Sequence, residues 1–269
     1  RSTLSSSSAA SDVYKRQLVN ERLRENRWEE AAAELDRYLT FLRTCSAWWY
    51  ADHSFGNQDL EKWTSCSEIR HVLETKDHVT ICVESKERTW ELMIYPVVGG
   101  FRMVAGKKGF FDGKPEAFSM EESEHAYIIR SKEHEMILKK ETLEISIDRK
   151  AITNLKNISF IFEKESVSAS RIQFSIHENS AIYGFGERFD SVNQYGKTVA
   201  LWQRDACEGC LASIGNQAYK NIPLVHTSDG FSFFANTSYR MRMDVGDAVQ
   251  DYLSVEALGD VFDLSLIHI

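Results

Sequence analysis

The sequence predicts a mainly β fold, an antiparallel β-sandwich with an N-terminal helical extension. From His78 onward, β-branched and aromatic residues recur in period two within short segments that turn residues or charges separate. Helical patterns do not alternate with these segments, which argues against a doubly wound α/β fold and favours packed antiparallel sheets. The three prolines, Pro96, Pro115 and Pro223, each lie near a segment edge, where a strand tolerates proline.

The segment before the predicted sandwich has the spacing of an amphipathic helix. Between residues 18 and 44, apolar residues including Trp28 and Leu35 recur at intervals of three and four, and neither glycine nor proline interrupts them. We expect this stripe to be a packing face. The sequence therefore predicts a helical extension over residues 18–75 and a sandwich over residues 76–264.

Eleven period-two segments are predicted to be strands of the sandwich. Each has a length that is usual for strands of globular proteins, and turn residues such as Asp112 and Gly113 lie between them. Their bounds are residues 78–85, 90–97, 101–106, 126–131, 134–140, 142–148, 158–164, 171–178, 231–237, 239–245 and 251–258.

The two ends of the sequence lack the pattern of the rest. Residues 1–17 contain a serine-rich run without a packing pattern, and "SLIHI" at residues 265–269 follows a predicted strand abruptly. We expect both ends to be non-native tails and the sequence to be a piece of a longer protein.

Charge and hydropathy argue against two classes of partner. The formal net charge is −8 and no basic patch offsets it, so no nucleic-acid partner is expected. No run reaches the ~18 apolar residues that a membrane helix needs, so no membrane partner is expected. Five cysteines at irregular spacing form a poor disulfide framework, and the start of the sequence has no signal peptide, so we expect a reducing, cytoplasmic location.

Cys207 and Cys210 have C-x-x-C spacing within "WQRDACEGC", the stretch that begins at Trp202. A structural zinc site commonly needs two such pairs, but the sequence has no second pair, and the nearest histidine, His226, stands alone. A thioredoxin-like motif would need a strand-to-helix context that this all-β neighbourhood lacks. We therefore expect two incidental loop cysteines, no metal site and no cofactor.

Five motifs follow one another between Ile182 and Asp247, namely "IYGFGERFD", "WQRD", "AYKNIP", "SDGFSFFAN" and "DVGD". This ordered set resembles the signature of the N-terminal β-sandwich of glycoside hydrolase family 31, a galactose-mutarotase-like supersandwich. "WQRD" followed by "QAYKNIPL" is most similar to the α-xylosidase branch, with the α-glucosidases next. By strand pattern the resemblance extends over residues 91–264.

The resemblance implies a role for the loop that carries "WQRD". In that family the sandwich precedes a (β/α)₈ barrel, and one sandwich loop reaches over the active-site mouth of the barrel. The aspartate of the W-x-R-D motif, here Asp205, is implied to accept hydrogen bonds from sugar hydroxyls. Arg204 would orient this carboxylate or anchor the loop. Trp202 would pack beneath it, although core packing is the simpler interpretation of its side chain.

The resemblance also implies what the whole protein does. It would be a retaining α-glycosidase that works by double displacement. The resemblance favours an α-xylosidase first and an α-glucosidase second. In the family the two catalytic aspartates lie on loops of the barrel, which needs about 250 residues, so no catalytic residue is expected in this chain. Glu187 and Arg188 of "GERF" are implied to be structural, as are Tyr219, Lys220 and Asn221 of "AYKNIP". The expected partners are an α-linked oligosaccharide or glycoside and the barrel of the same protein, and self-association as a homo-oligomer stays open.

Two other functions stay open. A stand-alone carbohydrate-binding module without catalysis would use the aromatic residues 48–50 and Phe55 as a stacking platform. A sugar-ring mutarotase would need a histidine and a carboxylate on a concave face, and neither His177 nor His226 lies in a motif for it.

Overall fold

The protein is described here from a computed structural model. It describes residues 22–25, 27–33, 35, 63–85, 88–106, 114–163, 166–188, 191–202, 218, 220–259 and 261–268. The chain divides into two compact units. The first comprises Arg1–Gln58, Gly186–Val192 and Ala200–Ile222, and the second comprises Asp59–Phe185, Asn193–Val199 and Pro223–Ile269.

Eighteen strands lie within the described part of the chain. They are β1 (Thr64–Ser65), β2 (Glu68–Glu74), β3 (Val79–Glu84), β4 (Thr89–Val97), β5 (Gly100–Gly106), β6 (Ser119–Glu122), β7 (Ala126–Arg130), β8 (Glu135–Lys139), β9 (Glu144–Ile147), β10 (Lys150–Glu163), β11 (Ser166–Ser175), β12 (Ile182–Gly186), β13 (Lys197–Leu201), β14 (Asn221–Thr227), β15 (Phe231–Ala235), β16 (Met241–Val245), β17 (Tyr252–Leu258) and β18 (Val261–His268).

These strands form two sheets, which confirms the predicted antiparallel sandwich. One sheet has the order β12-β14-β15-β18-β5-β4-β3-β2. The other has the order β13-β16-β17-β11-β10-β9-β8-β7-β6, with β1 paired to β10. Neighbouring strands along the chain commonly pair, as β3, β4 and β5 do in antiparallel register.

Phenylalanine side chains fill the space between the two sheets. Phe174 of β11 stacks on Phe233 of β15 with ring centroids 4.8 Å apart, so the inner faces of the two sheets touch directly. Burying one such side chain contributes about 1.5–3 kcal/mol. Among the described residues, five phenylalanines are fully buried, namely Phe101, Phe160, Phe174, Phe185 and Phe233.

The eleven predicted segments all overlap observed strands, but several strands match no predicted segment, and β2 is one of them. This strand lies at the end of its sheet, and of the described strands only β3 pairs with it. Most of its residues are exposed, with Leu73 54% exposed, so its sequence lacks the alternation of a half-buried strand.

Two predicted boundaries differ from the structure. In the described residues the first strand begins at Thr64, inside the stretch predicted as a helical extension up to residue 75. At the other end β18 continues through His268, which lies opposite Phe231 of β15. Residues 265–268 are therefore paired in a sheet rather than separated from it at residue 264. Hydrogen bonds to β5 and β15 continue there on both sides of the strand.

Residues 22–24 and 28–33 are helical, as their spacing predicts. Ala31 is buried, but Trp28 is 63% exposed, so the predicted packing face does not include this tryptophan. Arg27 Nε donates a 2.8 Å hydrogen bond to Glu30, one turn along the helix. None of the helices in the described residues is long and apolar enough to cross a membrane.

A buried ion pair ties β5 to β18. Arg102 Nε and Nη2 donate to the two carboxylate oxygens of Asp263 at 2.7 and 2.5 Å, and the two side chains are 10% and 2% exposed. Asn236 Nδ2 donates to the same carboxylate at 3.1 Å. A bidentate pair with a further donor leaves little of the carboxylate unsatisfied.

Candidate functional site

The predicted sugar-binding motif begins where β13 ends. Val199, Ala200 and Leu201 of this strand are buried, whereas the next residue, Trp202, is 47% exposed. Trp202 therefore does not lie in a core, contrary to the simpler interpretation of its side chain. Its contact with substrate stays a prediction. Arg204 and Asp205 lie outside the described residues, as do Cys207 and Cys210.

The "YGFG" segment of β12 has an unusual backbone. Gly184, Phe185 and Gly186 have φ angles of 115°, 66° and 83°, so three successive residues lie at positive φ. A Cβ atom on Gly184 would stand 2.1 Å from the carbonyl oxygen of Leu224, and one on Gly186 would stand 2.0 Å from that of Lys220. Both positions therefore require glycine, for the conformation and for the close approach of β14.

Phe185 is the residue between these glycines, and its backbone is strained. A branched or bulky residue at positive φ costs roughly 1–2 kcal/mol. The side chain is fully buried, which offsets that cost. The sequence motif gives no signal of this conformation beyond its two flanking glycines.

The "GERF" and "AYKNIP" motifs are hydrogen-bonded to each other within the first unit. The backbone N–H of Glu187 donates to the carbonyl oxygen of Lys220 at 2.9 Å. Arg188 Nη2 donates to Asn221 Oδ1 at 2.8 Å, and Asn221 Nδ2 donates to the carbonyl oxygen of Ala218 at 2.9 Å. Each motif thus has a structural partner in the other, and Tyr219 lies outside the described residues.

The "SDGFSFFAN" motif forms the hairpin of β14 and β15. Gly230 has φ 83° and donates its N–H to the carbonyl oxygen of Thr227 at 3.3 Å, which closes the turn. Phe231 and Phe233 are buried, but Phe234 is only half-buried. Phe234 differs from Phe233 because successive residues of a strand face opposite sides of the sheet.

The "DVGD" motif is a turn whose carboxylate serves the backbone. Asp244 is 8% exposed, and its Oδ1 accepts hydrogen bonds from the N–H groups of Asp247 at 3.0 Å and Ala248 at 3.2 Å. Gly246 has φ 74° and lies against the ring of Tyr195. These contacts give the motif a structural role.

Among the described residues, neither His177 nor His226 is paired with the carboxylate that mutarotase chemistry needs. His226 Nδ1 lies 2.7 Å from the hydroxyl of Ser232, not from a carboxylate. A histidine–carboxylate pair does occur elsewhere, between His134 Nδ1 and Asp148 Oδ2 at 2.8 Å. Asp148 also accepts from the N–H of Glu135 and has φ 48° in the turn before β10. This pair therefore stabilises a hairpin.

The residues considered for metal binding and for aromatic stacking lie mostly outside the described part of the chain. Among the described residues, no group of three or more His, Cys, Asp or Glu side chains is placed to hold a metal ion. Residues 48–50 and Phe55, the platform of the alternative binding module, lie outside the described residues. The interpretations of Cys207 and Cys210 stay predictions for the same reason.

Two packed antiparallel sheets with glycine-dependent motifs at the β12–β14 pairing define a β-sandwich domain. The chain belongs to the glycosyl hydrolase 31 N-terminal galactose mutarotase-like domain family, whose model matches residues 70–244. This confirms the family that the motif order indicates.

Individual relatives are longer proteins. The α-xylosidase XylQ of Lactiplantibacillus pentosus is 31% identical over 102 residues, which are 38% of this chain and 13% of that protein. The cycloalternan-forming enzyme of Listeria monocytogenes, solved with a pentasaccharide substrate, superimposes with a TM-score of 0.68 at 16% identity over 77% of this chain and 21% of that one. A GH31 dextranase of Flavobacterium johnsoniae, solved with isomaltotriose, gives 0.60 at 17% identity over 76% and 26%. The solved structures are similar in fold.

Proposed function

We propose that the parent protein of this chain is a retaining α-glycosidase that hydrolyses terminal α-linked sugars. An α-xyloside is the first candidate substrate and an α-glucoside is the second. The order of the five motifs supports this, as do the family membership and the 31% identity to an α-xylosidase. The chain spans 13% of that relative, so the activity is proposed for a longer protein. This chain would support the catalytic barrel and provide one loop of its active site.

The family match over residues 70–244 carries this proposal, and the exposure of Trp202 supports the role proposed for its loop. The last three residues of β13 are buried, whereas the side chain of Trp202, the first residue of "WQRD", is about half exposed. An indole with one exposed part can lie beneath a loop or against the apolar face of a sugar ring. Asp205, three residues further, would accept two sugar hydroxyl groups through charge-assisted hydrogen bonds, and Arg204 would orient it.

The chemistry would proceed by double displacement. One carboxylate attacks the anomeric carbon as a second protonates the leaving oxygen, and water then hydrolyses the glycosyl-enzyme. Neither carboxylate is proposed to come from this chain. In the described residues, Asp244 and Asp263 are both occupied by structural hydrogen bonds, which agrees with a supporting role for the sandwich.

The proposal is tested by comparing the 269-residue chain with its full-length parent on nitrophenyl α-xyloside and nitrophenyl α-glucoside. We expect the parent to hydrolyse both, with the larger kcat/KM for the xyloside, and the chain alone to hydrolyse neither. Turnover by the chain alone would contradict the absence of catalytic carboxylates. A parent inactive on both substrates would contradict the proposed activity.

A further inference from the structure

A polar cleft of about 240 Å³ opens at the surface of the second unit. The start of β2 forms one side of it, with Ser67 and Glu68. The other side comes from Tyr127 of β7, from the turn after β8 and from Lys156 of β10. The cleft thus brings together side chains of both sheets that are distant in the sequence.

One wall of this cleft is a cation held over an aromatic ring. Lys140 Nζ donates a 2.7 Å hydrogen bond to Glu122 and lies 4.7 Å from the ring centroid of Tyr127. The hydrogen bond to Glu122 raises the pKa of Lys140, so its ammonium group stays charged at neutral pH. Burial raises the pKa of Tyr127, so its phenol remains a hydrogen-bond donor.

The backbone around the cleft is fixed by hydrogen bonds. The N–H and the hydroxyl of Ser67 both donate to the carbonyl oxygen of Glu84, at 2.7 and 2.8 Å. Leu143 has φ 60°, donates its N–H to Lys139 at 3.0 Å and accepts from Leu155 at 2.9 Å. A site whose frame is ordered before binding loses less entropy when a ligand arrives.

The charges that line the cleft cancel. Lys140 and Lys156 are matched by Glu68 and Glu141, so the lining favours neither an anion nor a cation. Ammonium and phenol groups donate hydrogen bonds and carboxylates accept them, which suits a neutral ligand with several hydroxyl groups. The volume is below the roughly 300–1,000 Å³ of sites for drug-sized ligands, so the ligand is small.

We propose that this cleft binds one neutral sugar unit of an α-linked glycoside. None of its lining residues belongs to "WQRD", so this is a second carbohydrate site in the chain. The choice of a sugar among neutral polyhydroxylated ligands rests on the proposed function.

The test is a titration of the 269-residue chain with methyl α-xyloside, methyl α-glucoside and inorganic phosphate, followed by amide chemical shifts. We expect one or both sugars to shift the amides of Ser67, Tyr127 and Leu143, and phosphate to shift none. Removing two exposed lining groups in Glu141→Ala/Lys156→Ala should weaken sugar binding about thirtyfold, since each substitution removes a hydrogen bond of roughly 1 kcal/mol and about 1.4 kcal/mol corresponds to tenfold.

The matched control is Glu124→Ala/Lys132→Ala, which also removes one carboxylate and one ammonium from exposed positions outside the cleft. We expect the control to bind sugar as the unchanged chain does. No cleft shifts with either sugar at up to about 100 mM would overturn the proposal, because even a millimolar site saturates there. Phosphate shifts at the same amides, or equal weakening by both double variants, would also overturn it.

This test separates the cleft from the proposed activity. Cleft shifts in the chain of a parent that lacks glycosidase activity would contradict the proposed function and leave the cleft site standing. An active parent whose cleft residues do not respond to sugar would contradict the cleft site and leave the proposed function standing.

Discussion

Replacing Gly186 by alanine tests whether the β12–β14 pairing requires glycine. The new Cβ atom would stand 2.0 Å from the carbonyl oxygen of Lys220 and 2.7 Å from the nitrogen of Ile222. Both are backbone atoms, so no side-chain rotation relieves the contact. The φ of 83° adds the cost of a left-handed conformation.

Gly99 provides the matched control for this substitution. Its φ of 80° is nearly the same, and a Cβ atom there would meet nothing within 4 Å. Gly99→Ala should therefore lose only the conformational term, about 1–2 kcal/mol. Gly186→Ala should lose a further 2–4 kcal/mol or so, since the strands must separate and the 2.9 Å hydrogen bond from Glu187 to Lys220 weakens.

The assay is the free energy of unfolding of both variants, measured by urea titration and followed by circular dichroism. Equal losses for Gly186→Ala and Gly99→Ala would refute the reasoning, because only the steric contact distinguishes them. A loss at Gly99 larger than the loss at Gly186 would refute it as well.

Two further predictions concern buried groups. Arg102→Met should lower the free energy of unfolding by about 3–5 kcal/mol because it leaves the Asp263 carboxylate buried without its ion pair, whereas Arg102→Met/Asp263→Leu should recover most of that loss in the same urea titration. An equal loss in the single and double variants would contradict this account. Burial raises the pKa of Cys66 from 9.0 to about 11, so the folded state keeps a proton that the unfolded state releases. Stability should therefore fall as the pH rises from 9 to about 11, and the fall should be smaller in Cys66→Ala. A slope that is the same in both proteins would show that another group causes it.

The sandwich itself could be predicted because half-buried strands record their burial in the sequence. β17 alternates between buried and half-buried residues along its length, and this alternation identifies the strand from the sequence. β2 carries no such record, since an edge strand exposed on both faces has little apolar alternation. Local patterns therefore find the interior of a sheet more readily than its edges.

Contacts between distant parts of the chain could not be predicted from local patterns. Arg102 and Asp263 lie 161 positions apart, and neither stands in a motif that identifies the other. The cleft could not be predicted from local patterns either. Ser67 and Lys156 both line it because of how the strands pair, not because of their spacing in the sequence. The proposed sugar contact, in contrast, is identified from a local sequence motif. Asp205 is identified by its motif alone, and the structure contributes the exposure of Trp202 beside it.

The kinetics of Asp205→Asn in the full-length parent test the central claim most directly. The substitution keeps the size of the side chain and removes its charge, so hydrogen bonds to sugar hydroxyls lose their charge assistance. We predict a decrease of roughly 10- to 100-fold in kcat/KM on nitrophenyl α-xyloside, equivalent to about 1.5–3 kcal/mol, with an unchanged free energy of unfolding. Asp77→Asn, which alters an exposed aspartate on the turn before β3, should leave kcat/KM unchanged. A value of kcat/KM for Asp205→Asn equal to that of the unchanged enzyme would contradict the account.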